Sequence, residues 1–295
     1  MLLLLPLTAV NAQNLKPYIL AGTESGDITA AVEKTEKLLE KQGFTVAGKY
    51  SPMGDDNRVV ICITSEALKN AAKSSDDIRM FAAVLRVGVH YVGTTNNISF
   101  MNPLYWGNAY YQKEFGKVSK QYDAINAELI AAFKGLSNVH NMSFGSKNGK
   151  TPKDLQGYRY KFMMPHFDDI DELVKDSSYE EILKVIDGNF SSQSALFEKV
   201  YDVRLPGQKL ALIGVGLKGE KGETNYIPKI DKEELKYLPF APYELLVMED
   251  KAIALRARYR IAVSFPDLSM GTFMKISGAP GDIKDYLIQL VGGEQ

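Results

Sequence analysis

Apolar and polar positions follow two periods along the chain, and the periods take turns. Residues 18–21 form a short apolar run. Ala31, Leu38 and Leu39 then recur at helical spacing behind Asp27, and Gly43 follows, so a capped helix is predicted to about Gln42. Residues 44–50 and 58–64 read as strands across a turn carrying Pro52, Gly54, Asp55 and Asp56. Ser65 caps a second helix to about Lys73. A hairpin joins 81–92 to 97–101 across Gly93-Thr94-Thr95-Asn96, and a helix covers 117–134. The stretch 138–151 has no period and is rich in Asn, Ser, Gly and Lys, which predicts a linker.

A similar order follows. Residues 158–164 read as a strand. Asp168-Asp169 open a helical region to about Ile186, with a break near Ser177-Ser178. Strands are predicted at 196–205 and 210–217, and a short helix from Asp231 to about Tyr237. A hairpin joins 243–248 to 252–265 through Glu249-Asp250-Lys251, and a helix closes the chain at 282–291. Pro103, Trp106, Gly107 and Tyr110 after the first hairpin find counterparts in Pro266, Met270, Gly271 and Phe273 after the second. The expectation is an α+β fold of two related domains, each a mainly antiparallel sheet with helices packed on one face. The boundaries are 13–137 and 153–295, with 138–152 as linker and 1–12 set apart.

Lys41-Gln42-Gly43-Phe44 at the helix end, the polar turn, and Phe100-Met101-Asn102-Pro103 after the strand resemble the bacterial "domain of unknown function 302" family. The resemblance covers about 18–133 and extends to the second half as a tandem copy. It implies a compact α+β domain and carries over no catalytic residue.

Residues 1–12, MLLLLPLTAVNA, are set apart as a truncated signal peptide. The apolar run ends in small residues, is too short to span a bilayer, and lacks a preceding cation. The alternative is an apolar N-terminal tail or strand. No later run is long and apolar enough to cross a membrane. Over 295 residues the net charge is -1, so the chain as a whole has no pull on nucleic acid. The single cysteine, Cys62, lies inside Val59–Ile63 and reads as a buried hydrophobe, with no intramolecular disulfide available to it.

Candidate chemistry is sparse. Gly214-Val215-Gly216-Leu217-Lys218-Gly219 matches GxGxxG after a strand, but Gly222 and Pro228 argue against the helix that a dinucleotide site needs, so a loop is expected. Arg86 and His90 fall on one face of a strand with Gly88 between them, an arrangement that fits an anion, an oriented base, or a solvated sheet face. Arg256, Arg258 and Arg260 alternate with Leu255, Ala257, Tyr259 and Ile261, which puts three guanidinium groups on one strand face. That is a site for a carboxylate, a phosphate or an acidic partner, or a charged solvent face. Tyr105 and Trp106, with Tyr110, Tyr111 and Phe115, form either a ligand wall or a cap on the core. Met163-Met164-Pro165-His166 offers soft ligands suited to copper(I), or a core methionine beside a turn histidine. Asp168, Asp169, Asp171 and Glu172 read as helix-capping charge without calcium-loop spacing.

No metal and no cofactor is expected. The function expected is an exported, soluble, non-catalytic binding protein for an anionic or amphipathic small molecule in an inter-domain cleft. Arg86, His90, Arg256, Arg258 and Arg260 supply polar contacts, and Tyr105 and Trp106 the walls. One alternative is a protein-interaction module. Another is a hydrolase- or lyase-like enzyme with His90 as general base.

Overall fold

Local signals place the first elements where the sequence puts them. In the computed structural model, which describes residues 14–75, 77–161 and 163–293, the Asp27 carboxylate accepts from the Ala30 N–H at 2.9 Å and starts a helix. Residues 1–12 lie outside the described residues, and with them the signal-peptide reading.

The first half runs β1 (Tyr18–Ser25), α1 (Ile28–Lys41), β2 (Thr45–Tyr50), β3 (Arg58–Thr64), α2 (Glu66–Lys73), β4 (Leu85–Val92), β5 (Thr95–Met101), α3 (Pro103–Tyr111), α4 (Phe115–Phe133) and β6 (Asn138–Phe144). The second half runs α5 (Pro152–Gln156), β7 (Ile170–Lys175), α6 (Tyr179–Ser192), β8 (Phe197–Arg204), β9 (Ala211–Leu217), α7 (Glu223–Ile230), β10 (Tyr243–Met248), β11 (Lys251–Leu255), α8 (Ala257–Ser264), α9 (Met270–Lys275) and α10 (Ala279–Val291). The fold is α+β with two antiparallel sheets, ordered β2-β3-β4-β5-β1-β6 and β7-β11-β10-β9-β8. No helix among the described residues is long and apolar enough to cross a membrane.

Read from the other edge, the second sheet is β8-β9-β10-β11-β7, the same thread as β2-β3-β4-β5-β1. The irregularities match too. β1 and β7 each carry an extra residue against their hairpin neighbour, Ala21 and Leu173, and β2 and β8 each carry one, Ala47 and Val200. β6 has no counterpart in the second sheet. It carries a bulge of its own, with Asn141 at φ 52 where two residues oppose one of β1.

Strand alternation shows how the sheets stack. On β10 and β11, Tyr243, Leu245, Val247, Ala252 and Ala254 join a core with α6 and α10, while Leu246, Ile253 and Leu255 join the core of the first half. The sheets therefore face each other, with α1, α2 and α4 outside one and α6 and α10 outside the other. The larger core draws on both halves.

Six sequence expectations change. The stretch 138–144 is strand β6, paired with β1, and not linker. The predicted strand 158–164 is irregular, and the predicted helix over 168–186 is strand β7 followed by α6, whose N-cap is Ser178. Residues 223–230 form α7 despite Gly222 and Pro228, and Asp231 ends that helix rather than starting one. The strand over 252–265 stops at Leu255, and the chain turns into α8.

Candidate functional site

Two separate sites emerge, one built on α8 and one on α7. Because 257–264 is helical, the three arginines do not share a face. Arg256, at the N-cap of α8, and Arg258 are exposed, while Arg260 is 2% exposed and points inward. The alternation that read as a strand comes from a helix buried almost all round, in which only those two positions reach solvent.

Arg256 and Arg258 open onto a surface groove of about 590 Å³, lined also by Arg159, Met164, His166, Asp169, Asp171 and Lys284. Asp171 stands between two of the cations, 3.7 Å from Arg256 Nε and 3.6 Å from Lys284 Nζ. The Asp169 carboxylate accepts from the His166 N–H at 2.8 Å, and the Arg159 guanidinium lies against the His166 ring. Arg159 and Arg258 make no ion pair among the described residues. The methionine–histidine segment thus lies beside the exposed arginines. No group of three or more His, Cys, Asp or Glu side chains placed to hold a metal occurs among the described residues.

The remaining candidates are held elsewhere. Arg86 is 1% exposed, between the sheets, and pairs with Glu244 of β10. The two are the second residues of corresponding strands. Arg260, from the second half, completes the group at 3.7 Å from Glu244 Oε2, so the Arg86–Glu244 pair ties the two halves together and neither arginine reaches solvent. Gly88, the gap between Arg86 and His90, is filled by Leu238, because a Cβ there would stand 2.9 Å from Leu238 Cβ. His90 is half-buried at the end of β4, and its Nδ1 has no partner among the described residues. Burial, with Arg58 and Lys236 beside it, pushes its pKa down to about 4. His90 lines neither the groove nor the cleft described next.

Tyr105 and Trp106 are not ligand walls. Both are buried in α3, where the Tyr105 hydroxyl donates to the Val263 carbonyl at 2.7 Å and Trp106 Nε1 to the Pro17 carbonyl at 2.8 Å. Cys62 is buried in the core on β3, opposite Arg86 of β4, and burial pushes its thiol up to about 12, which keeps it protonated and inert.

The second site joins the halves. A cleft of about 320 Å³ is lined by Tyr50, Ser51, Met53 and Gly54 of the first half and by Glu198, Gly216–Gly219, Glu223 and Thr224 of the second. Glu223, the first residue of α7, is 3% exposed. Its Oε1 accepts from the Tyr50 hydroxyl at 2.9 Å and the Leu217 N–H at 3.3 Å, and its Oε2 from the Met53 N–H at 3.0 Å. Burial pushes the carboxyl up to about 7 against these three donors. The glycines of the GxGxxG run serve aromatic rings. A Cβ on Gly214 would stand 2.2 Å from the Tyr201 ring, and one on Gly216 would stand 3.1 Å from that of Tyr50. Sequence reasoning passes over Glu223, since a glutamate after a glycine loop reads as solvated, and its partners come from the other half.

No protein-family model matches the chain, and no curated protein matches it. The resemblance in the first half rests on the residues quoted for it.

Proposed function

We propose that this is a non-catalytic binding protein that takes a small anion, a carboxylate or phosphate, in the groove at the start of α8. The observation that supports it most is the lining itself. Arg159, Arg256, Arg258 and Lys284 face one space with only Asp169 and Asp171 among them, and two of the four cations lack a carboxylate partner among the described residues. Guanidinium groups suit planar oxyanions, and a basic concavity concentrates them. This reading keeps Arg256 and Arg258 as ligand contacts and gives up Arg86, Arg260, His90, Tyr105 and Trp106. A base with a pKa near 4 is poorly matched to proton abstraction at neutral pH, which leaves the His90 enzyme reading without support.

Two further readings belong with it. The shared thread and the matched bulges of β1/β7 and β2/β8 support an internal duplication. The pattern of residues 1–12 supports export, which N-terminal sequencing of the mature protein checks.

The test of the groove is calorimetric titration with citrate and with inorganic phosphate at low salt. The wild type is expected to bind at least one of them. The Arg256→Ala/Arg258→Ala double variant is expected to lose at least about tenfold in affinity, since each charge-assisted contact contributes about 1.5–3 kcal/mol. Equal binding by the two proteins, or none by the wild type, would overturn the assignment.

A further inference from the structure

A buried carboxylate normally faces a cation, because isolated burial of the charge is costly. Glu223 faces none among the described residues. Its partners are a phenol and two backbone N–H groups, and the two nearest lysines before it along the chain, Lys221 and Lys218, pair with Asp282 at 3.3 Å and Glu198 at 3.2 Å. A carboxylate has about four acceptor positions, so three donors leave one free, and it lies on Oε2.

We propose that the cleft between the halves is a binding site for a small organic amine, whose ammonium group donates to Oε2 of Glu223. The walls suit the hydrocarbon part of such a molecule, being the Tyr50 ring, the Met53 side chain and the backbone of Gly216–Leu217. A volume near 320 Å³ is at the small end for ligand sites and limits the guest to a short chain or a single ring. Met53 presents its N–H to Glu223 from φ 61, a left-handed conformation rare for a residue with a side chain. Such strain gathers at ligand clamps. Among the described residues the other titratable groups facing Glu223 are Tyr50 on β2, Tyr226 on α7 and Glu198 on β8, and the one cation lining the cleft, Lys218, is held by Glu198. The site shares no residue with the basic groove and takes the opposite charge.

The full-length protein titrated with n-butylammonium chloride, with n-butanol and sodium butyrate as matched probes, decides the matter. The readout is the backbone amide NMR signals of Met53, Gly216 and Gly219. Saturable shifts are expected with butylammonium alone. Because the amine stays charged throughout while Glu223 must ionise, its affinity should rise about tenfold per unit of increasing pH below about pH 7 and level off above. Glu223→Gln should weaken butylammonium at least about tenfold at the plateau, the loss of one charge-assisted contact. Saturation by butanol at equal concentration, no saturable shift, or an affinity that ignores pH would each overturn the proposal. The wild-type pH series stands alone if the variant fails to fold.

Discussion

Two guanidinium groups and one carboxylate are enclosed between the sheets, and Glu244 is the only anion they share among the described residues. The Tyr201 hydroxyl donates to the same carboxylate. Arg260 is otherwise held by the Phe240 carbonyl at 2.7 Å, the Pro242 carbonyl, and the Tyr243 ring 4.5 Å beneath its guanidinium carbon. Among the described residues Arg86 has only the Met101 sulfur, 3.4 Å away, besides Glu244. Removing the carboxylate leaves two buried cations, a loss that typically costs about 3–5 kcal/mol. Glu244→Ala is expected to lower stability by about that much in urea unfolding, and the Arg86→Met/Glu244→Leu pair to regain most of it. A loss under about 1 kcal/mol would show that the carboxylate does not hold the halves together. At this scale the sequence reveals which side chains are unusual but not where they go. Arg86 stands out on its strand, yet its partner lies in the other half, where no periodicity points to it.

Elements were legible where their signals are local. The caps of α1 and α2 and the strands β3 and β10 lie where turn chemistry and alternation put them. Misreadings follow from how much of an element is buried. α8 is enclosed nearly all round, so its helical period is hidden. In β7 only Leu173 is buried, so its acidic residues read as a helix start, and β6 is exposed at every position but Phe144. The paired bulges of β2 and β8 have an energetic role. Gly48 stands so close to the Val200 carbonyl that a Cβ would fall 1.8 Å from its oxygen. Gly48→Ala must push the two strands apart, and overpacking of this kind costs about 1–3 kcal/mol. A thermal shift showing Gly48→Ala as stable as the wild type would contradict the close contact of these edges.

Across the whole molecule, one core takes side chains from both sheets, and the Arg86–Glu244 pair sits inside it. The halves are therefore expected to unfold together, with calorimetric and van't Hoff enthalpies that agree. Two resolved transitions would mean that each half holds its own structure. The α+β class could be read in advance, because it depends on period and punctuation. The face-to-face stacking could not, since it is decided by contacts between residues far apart in the chain. The amine cleft and the acid that lines it were hidden for the same reason.

The mismatch of six strands against five leaves the molecule with one vulnerable border. β2 and β8 shelter each other, and β7 carries Asp171, Glu172 and Lys175. β6 is the outermost strand of its sheet, and its residues, Asn-Val-His-Asn-Met-Ser-Phe, include no lysine, glutamate or proline. What interrupts its hydrogen-bonding row is the kink at Asn141, in the left-handed region that asparagine tolerates better than most residues. Among the described residues, the interruption of this open edge therefore comes from backbone shape at one position of β6 and not from a lysine, glutamate or proline on it.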